Sequence, residues 1–213
     1  MSKVICIAGE SGSGKTTAMR NLNPAETYYI DCDRKGLSWK GWRQQYNSES
    51  KNYKATDDPK VVSALLRGIS EKSPTIKNVV IDTINGIMIG DEMRRSKEKG
   101  YDKWVDLAQC IWDIVDQAYS YRGDLTIIFL AHTQTERDDS GFVFTRIKTS
   151  GKKLDKIVIE SKFTTVLIAK CVDGKYVLET KSDHSTCKTP LNAFSEDTIE
   201  NDVILVLKAL EDY

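Results

Sequence analysis

The chain lacks any long apolar run. Its most hydrophobic stretch, residues 125–131, falls far short of the roughly 20 apolar residues that a membrane-crossing helix needs. Histidines number only 2 and prolines 4 among 213 residues. His132 and His184 are far apart and no Cys-x-x-Cys pair occurs, so a zinc cluster has no ligand set at the usual spacing. The 5 cysteines (Cys6, Cys32, Cys110, Cys171 and Cys187) are odd in number and scattered, which argues against a disulfide framework. Reduced thiols in a cytoplasmic protein are expected, with Cys6 and Cys171 as small buried hydrophobes inside apolar runs. Net charge is absent as well: 31 Lys+Arg stand against 31 Asp+Glu, which disfavours a chain-wide polyanion surface but leaves a local one open. Residues 1–3 lead straight into an apolar segment without a small-residue cleavage site, so no signal peptide and no membrane association are expected. What remains is 40% hydrophobic and 29% charged residues, ample for a core within one domain over 1–213.

Local patterns suggest how that core is built. Residues 3–8, 27–32, 79–82 and 125–131 read as buried strands. Residues 15–22 read as a helix that stops before Pro24. Asp58-Pro59 forms an N-cap followed by proline at the first helical position, and Val61, Val62, Leu65, Leu66 and Ile69 give the helix that follows one apolar face. Trp104, Leu107, Ala108, Ile111, Trp112, Val115 and Ala118 recur at helical spacing, and a last helix is expected over 198–210. Asp173-Gly174 between two β-rich runs marks a hairpin over 164–181. The fold class expected is α/β: a mostly parallel sheet with helices on both faces and an antiparallel hairpin at one edge. Residues 33–56 carry Trp39, Trp42, Tyr46 and Tyr53 without a clean period, suiting a lid, a subunit contact or local core.

The sharpest signal is Gly9-Glu10-Ser11-Gly12-Ser13-Gly14-Lys15-Thr16, which matches G-x-x-x-x-G-K-[ST] between a strand and a helix start. Its backbone N–H groups can turn around a phosphate, Lys15 can reach the β- and γ-phosphates, and the Thr16 hydroxyl can bind Mg²⁺. A nucleoside triphosphate, ATP with Mg²⁺, is the expected cofactor pair. Asp82, closing Val79-Val80-Ile81-Asp82, is the expected second magnesium ligand, and it also suits a helix N-cap. Asp33, and less strongly Asp31, end the second strand on the same sheet edge and can serve as general base or as turn carboxylates. His132 and Gln134 follow the fourth strand, where a γ-phosphate contact would report nucleotide state, or where a histidine simply satisfies the structure.

GESGSGKTT at Gly9 to Thr17, YYIDCD at Tyr28 to Asp33, VVIDTING at Val79 to Gly86 and FLAHTQ at Phe129 to Gln134 together resemble the RecA-like P-loop NTPase core. The order and spacing are most similar to phage-type ATP-binding single-strand annealing proteins, with DGKYVLETK at Asp173 to Lys181 extending the likeness over most of the chain. The resemblance implies an ATPase in which Asp33 takes the activating-carboxylate position, commonly glutamate, so turnover would be slow. It implies that His132 and Gln134 open a mobile DNA-binding loop over 135–151, and that a basic residue such as Lys181 completes a neighbouring subunit's ATP site. It further implies single-stranded DNA as partner, self-association into a ring or filament, and a possible single-strand-binding protein partner.

Residues 137–162 hold seven basic and four acidic side chains, a local charge of +3, with Phe142 and Phe144 close to the basic run. Charge for phosphates and rings for bases are the components of a single-strand groove, although the same residues suit a solvated loop with inward-packed phenylalanines. Two other readings stay open. A P-loop small-molecule or polynucleotide kinase would need arginines over the phosphates, for which Arg34, Arg43, Arg94 and Arg95 are sparse material. A non-catalytic nucleotide-binding module would bind ATP without turnover.

Overall fold

The computed structural model describes residues 1–100, 102–149 and 158–213. Its frame is a nine-stranded sheet in the order β3-β2-β4-β5-β1-β7-β8-β9, with β6 paired to β5 beyond the main path. The parallel part comprises β1 (Lys3–Gly9), β2 (Thr27–Asp31), β3 (Tyr53–Ala55), β4 (Asn78–Asp82), β5 (Thr126–Arg137) and β7 (Thr165–Val172). Period-two alternation divides these strands between two cores. Val4, Cys6, Ala8, Val79, Ile81, Ile127 and Phe129 face one apolar cluster; Ile5, Ile7, Val80, Ile128 and Leu130 face the other.

The first cluster is covered by α2 (Pro59–Lys72), α3 (Ile84–Arg94) and α4 (Asp102–Ala118). Asp58 caps α2 by accepting from the Lys60 N–H at 2.9 Å, with Pro59 at the first helical position and Val62, Leu66 and Ile69 buried. The second cluster is covered by Met19, Leu22, the aromatics of residues 37–46 and the C-terminal helix Val203–Ala209. Residues 33–56 therefore contribute local core. Tyr29, Trp39 and Tyr46 meet edge to face with centroids 5.5 to 6.2 Å apart, around the short helix α1 (Trp42–Gln45).

The expected antiparallel edge is present. Asp173 (φ 50°) and Gly174 (φ 76°) form a two-residue turn between β7 and β8 (Lys175–Glu179), and both positive angles match the twist that closes such hairpins. β9 (Thr198–Glu200) then pairs with β8.

Four local expectations are corrected. The helix expected over 15–22 is a single 3-10 turn, Thr17–Met19, because Asn23 accepts from the Ala25 N–H at 3.1 Å and turns the chain out before Pro24. The last helix begins at Val203 because Asp202 caps the Ile204 N–H at 3.0 Å, leaving Thr198–Glu200 to pair as an edge strand. The loop expected over 135–151 is largely a ribbon: β5 runs on to Arg137 and pairs antiparallel with β6 (Val143–Ile147). Asp138 sets its turn by accepting from the Ser140 and Phe142 N–H groups, both at 2.9 Å. Residues 150–151, with Lys152, Lys153, Asp155 and Lys156 of the expected basic run, lie outside the described residues. Finally, Cys6 is buried but Cys171 is exposed, since it lies at the end of β7 beside the hairpin turn, past the covered core; all five thiols are free. Among the described residues no helix is long and apolar enough to cross a membrane.

Candidate nucleotide site

β1 delivers the chain to the C-terminal edge of the sheet, where residues 9–16 wrap back on themselves. At Gly9 a Cβ would fall 2.6 Å from the Ala169 carbonyl oxygen and 2.5 Å from Ser13 Oγ, so any side chain would force the loop away from β7. Gly14 has φ +94° and carries the Tyr176 ring against it, 2.8 Å from where a Cβ would stand. These constraints hold Lys15 inward at 5% exposure, its Nζ donating to the carbonyls of Gly9 (2.8 Å) and Glu10 (2.7 Å). Burial outweighs its acidic neighbours and lowers the ammonium pKa to about 8.

In the sheet, β5 lies between β1 and β4, with Gly9 beside His132 and Leu130 beside Asp82. The ends of β1 and β4, on either side of His132 in β5, thus bring Lys15, His132 and Asp82 around one space. Asp82 is 2% exposed. Its Oδ2 accepts from Thr16 Oγ1 and from Tyr29 OH, each at 2.7 Å, while its Oδ1 is buried with no hydrogen-bond partner. Burial raises the Asp82 pKa against the opposing hydrogen bonds. A buried carboxylate oxygen without a partner, beside a threonine hydroxyl, fits a hard divalent cation. Among the described residues no group of three or more His, Cys, Asp or Glu forms a complete metal cage. Mg²⁺ takes one or two protein oxygens and completes its shell with phosphates and water. Bound there, the ion would neutralise charge developing on the phosphates.

The space is a cavity of about 450 Å³, lined among others by Lys15, Thr16, Lys35, Asp82, His132 and Tyr176. A shallower hollow of about 320 Å³ flanks the other side of the P-loop, against Ala169 to Val172, but holds neither Lys15 nor Asp82.

A family model described as an AAA domain matches residues 1–188, most of the chain. The chain belongs to this AAA domain family. A comparison with curated proteins finds no match. Among solved structures, the KaiC-like protein PH0186 from the hyperthermophilic archaea Pyrococcus horikoshii OT3 is similar at 16% identity and a TM-score of 0.42, over 83% of this chain and 77% of that one.

Within this AAA domain the other expected residues divide clearly. Asp33 does not line the cavity but touches two residues that do: Lys35 Nζ contacts its Oδ2 at 2.5 Å and Thr83 Oγ1 donates to its Oδ1 at 2.8 Å. Burial raises its pKa, yet the Lys35 and Thr83 hydrogen bonds together prevail and the net shift is downward. Asp31 is structural. It is 1% exposed and accepts from the Gly36 N–H and Tyr53 OH, each at 2.7 Å, which fixes the turn after β2. Asp82 is no helix cap, because Thr83 takes that role toward the Gly86 N–H.

His132 lies in the site, its Nδ1 3.4 Å from Lys15 Nζ and its Nε2 4.0 Å from Asp33 Oδ2. Burial and the Lys15 charge lower its pKa from the ordinary value, favouring the neutral ring. Gln134 is outside the cavity: it shares a strand face with His132 but lies two residues further on, where β5 has left the parallel sheet to pair with β6, and its Nε2 donates to Glu136 Oε1 at 2.7 Å. Lys181 is also outside, paired with Asp197 at 3.8 Å.

Four participants escaped the sequence reading. Tyr29 looked like one more strand aromatic, and Tyr176 like one more hairpin residue. Lys35 sits in a polar stretch without period, and its place two residues after Asp33 was the only available signal. Asn85 is 3% exposed, accepts from the His132 N–H at 2.7 Å and donates to the Lys148 carbonyl at 2.7 Å, so it ties the site to the base of the ribbon.

Proposed function

We propose that this AAA domain binds Mg·ATP at Lys15, Thr16 and Asp82, hydrolyses it slowly, and uses nucleotide state to control single-stranded-DNA binding in recombination or strand annealing. The observation that carries the nucleotide part is the convergence of Lys15, the Thr16 hydroxyl and an orphaned buried oxygen of Asp82 in one cavity. Thr16 and Asp82 would hold Mg²⁺, Lys15 would contact the terminal phosphates, and Asp33 would receive the proton of the attacking water.

The DNA part is supported by the ribbon. Phe142 is 44% exposed and stacks on Phe144 at 6.4 Å, offering π-faces on which bases can rest. Arg137, Arg146 and Lys148 offset Glu136, Asp138 and Asp139 along residues 135–149, so the aromatics support the reading more than charge does. Asn85 supplies a physical link from His132 to this ribbon. Self-association into a ring or filament would repeat the ribbon along a strand.

The kinase alternative finds less support, because no arginine is among the cavity's lining residues. Arg94 pairs with Asp57, Arg95 with Glu98 and Asp106, and Arg43 lies over Trp42. The deciding experiment measures ATPase rate and single-strand affinity, each with and without the other ligand, beside a sizing measurement. DNA-stimulated turnover and ATP-dependent DNA affinity are expected. No DNA binding at low salt, with or without Mg·ATP, would sink the DNA part alone. Phosphate transfer to an acceptor other than water would replace the ATPase reading with a kinase.

A further inference from the structure

The phosphate cavity holds a second lysine that the P-loop motif does not supply. Lys35 lines the same space as Lys15, Asp82, Thr83 and His132. Its side chain is 54% exposed, and in the present state its ammonium is spent on Asp33, the carboxylate expected to receive the proton of water. The two lysines repel, and each has turned to oxygen atoms of the protein: Lys15 to the Gly9 and Glu10 carbonyls, Lys35 to Asp33.

The backbone beside Lys35 is anchored at Gly36. Gly36 donates its N–H to Asp31 at 2.7 Å and lies under Trp42, while Arg34 stands 4.0 Å from Asp57. Thr83 holds the other oxygen of Asp33 independently of Lys35. The ammonium can therefore leave without releasing the carboxylate. An ordinary exposed turn pair would have no reason to face a cavity that already contains Lys15 and Asp82.

We infer that Lys35 is a cation acting within its own subunit that exchanges partners, from Asp33 in the empty or ADP-bound site to the γ-phosphate in the ATP-bound site. This deepens the ATPase reading and rests on it. A γ-phosphate carries more negative charge than a single carboxylate and competes for the ammonium at short range. Its departure leaves Asp33 anchored by Thr83 and open to a water. The water oxygen bonds to the γ-phosphorus as the bond from that phosphorus to the β,γ-bridging oxygen breaks, and ADP leaves with the electron pair. The water's proton passes to Asp33 and from there to the released phosphate. Because ADP has no γ-phosphate, Lys35 returns to Asp33 and closes the base again.

The test compares wild type, Lys35→Ala and Lys35→Arg, using fluorescent ADP and a non-hydrolysable ATP analogue, with turnover measured in parallel. Lys35→Ala should hold ADP within about twofold of wild type and bind the ATP analogue about tenfold more weakly, the size of one lost charge-assisted contact. Turnover should fall by at least that factor, and Lys35→Arg should recover most of the analogue affinity. An unchanged ratio of ATP-analogue to ADP affinity in Lys35→Ala overturns the partner exchange. Equal loss for both nucleotides also overturns it, marking Lys35 as a structural pair in the turn. Failure of wild type to bind either nucleotide overturns the ATPase reading itself, an outcome distinct from the other two.

Discussion

Tyr29 and Thr16 hold one oxygen of Asp82 and leave the other bare, and that asymmetry makes the carboxylate a ligand in waiting. Tyr29 is fully buried, and its own hydroxyl pKa is driven well above the usual value by burial and by Asp82, so it is a permanent donor. Tyr29→Phe should lower stability by about 1–2 kcal/mol, since a buried charged acceptor loses one partner. It should also raise the Mg²⁺ concentration needed for turnover by about tenfold, as expected when the group orienting a metal ligand is removed. A thermal melt and a Mg²⁺ titration of ATPase activity check the two parts separately. His132 yields a pH prediction. Its folded pKa lies below the ordinary 6.5, so below pH 6.5 the unfolded chain takes up the proton first. Its contribution to stability is therefore complete above pH 6.5 and lost as pH falls toward the lower folded value. His132→Asn should flatten that part of a stability profile measured from pH 8 to 5, and an unchanged slope would refute the assignment.

At the scale of elements, β5 is the structural centre. Its first half lies in the buried sheet, His132 marks the site, and the rest leaves the sheet to form the ribbon with β6. Asn85 bridges the two halves, and the Lys148 N–H donates to the His132 carbonyl at 2.7 Å. Asn85→Ala should cost about 1–2 kcal/mol, because two part-buried backbone groups lose their side-chain partner. It should also abolish any ATP-dependent change in hydrogen-exchange protection of residues 133–147, whereas a purely structural Asn85 would leave that change intact in the folded variant. The buried strands, the capped helix at Asp58 and the Asp173-Gly174 turn were readable because burial, capping and positive φ each leave a local residue pattern. The P-loop and Asp82 were readable because they fall at strand ends, and His132 because it ends the apolar run of β5, although the strand itself continues to Arg137. The ribbon was not: residues 135–137 are polar, and their strand character comes from pairing with residues 143–145, which no local pattern announces. Lys35 and Asn85 were hidden for the same reason, since their meaning lies in what other strands bring beside them.

For the whole molecule, equal numbers of acids and bases mean that long-range attraction to a polyanion is weak, and any DNA contact must be local. The described ribbon sharpens this, because its three bases are offset by three acids over residues 135–149 and its most exposed large apolar groups are Phe142 and Val143, each 44% exposed. Under the DNA-binding proposal, a single copy would offer one short stacking platform, flanked by His184 at 5.4 Å from the Phe142 ring. Such a platform gains useful affinity only by repetition along one strand, through effective concentration. Binding to long single strands should therefore be cooperative in protein and require ATP if ATP drives assembly, while oligonucleotides shorter than one repeat should bind weakly. Phe142→Ala should weaken binding by about 1–3 kcal/mol per copy, the scale of one base–aromatic stack, and leave nucleotide affinity unchanged. Because few phosphates are neutralised per copy, the salt dependence per bound subunit should be shallow. Fluorescence anisotropy against protein concentration, on short and long strands at two salt concentrations, measures all three; non-cooperative binding with a steep salt slope would show that charge from another part of the chain, rather than the aromatic ribbon, holds the strand.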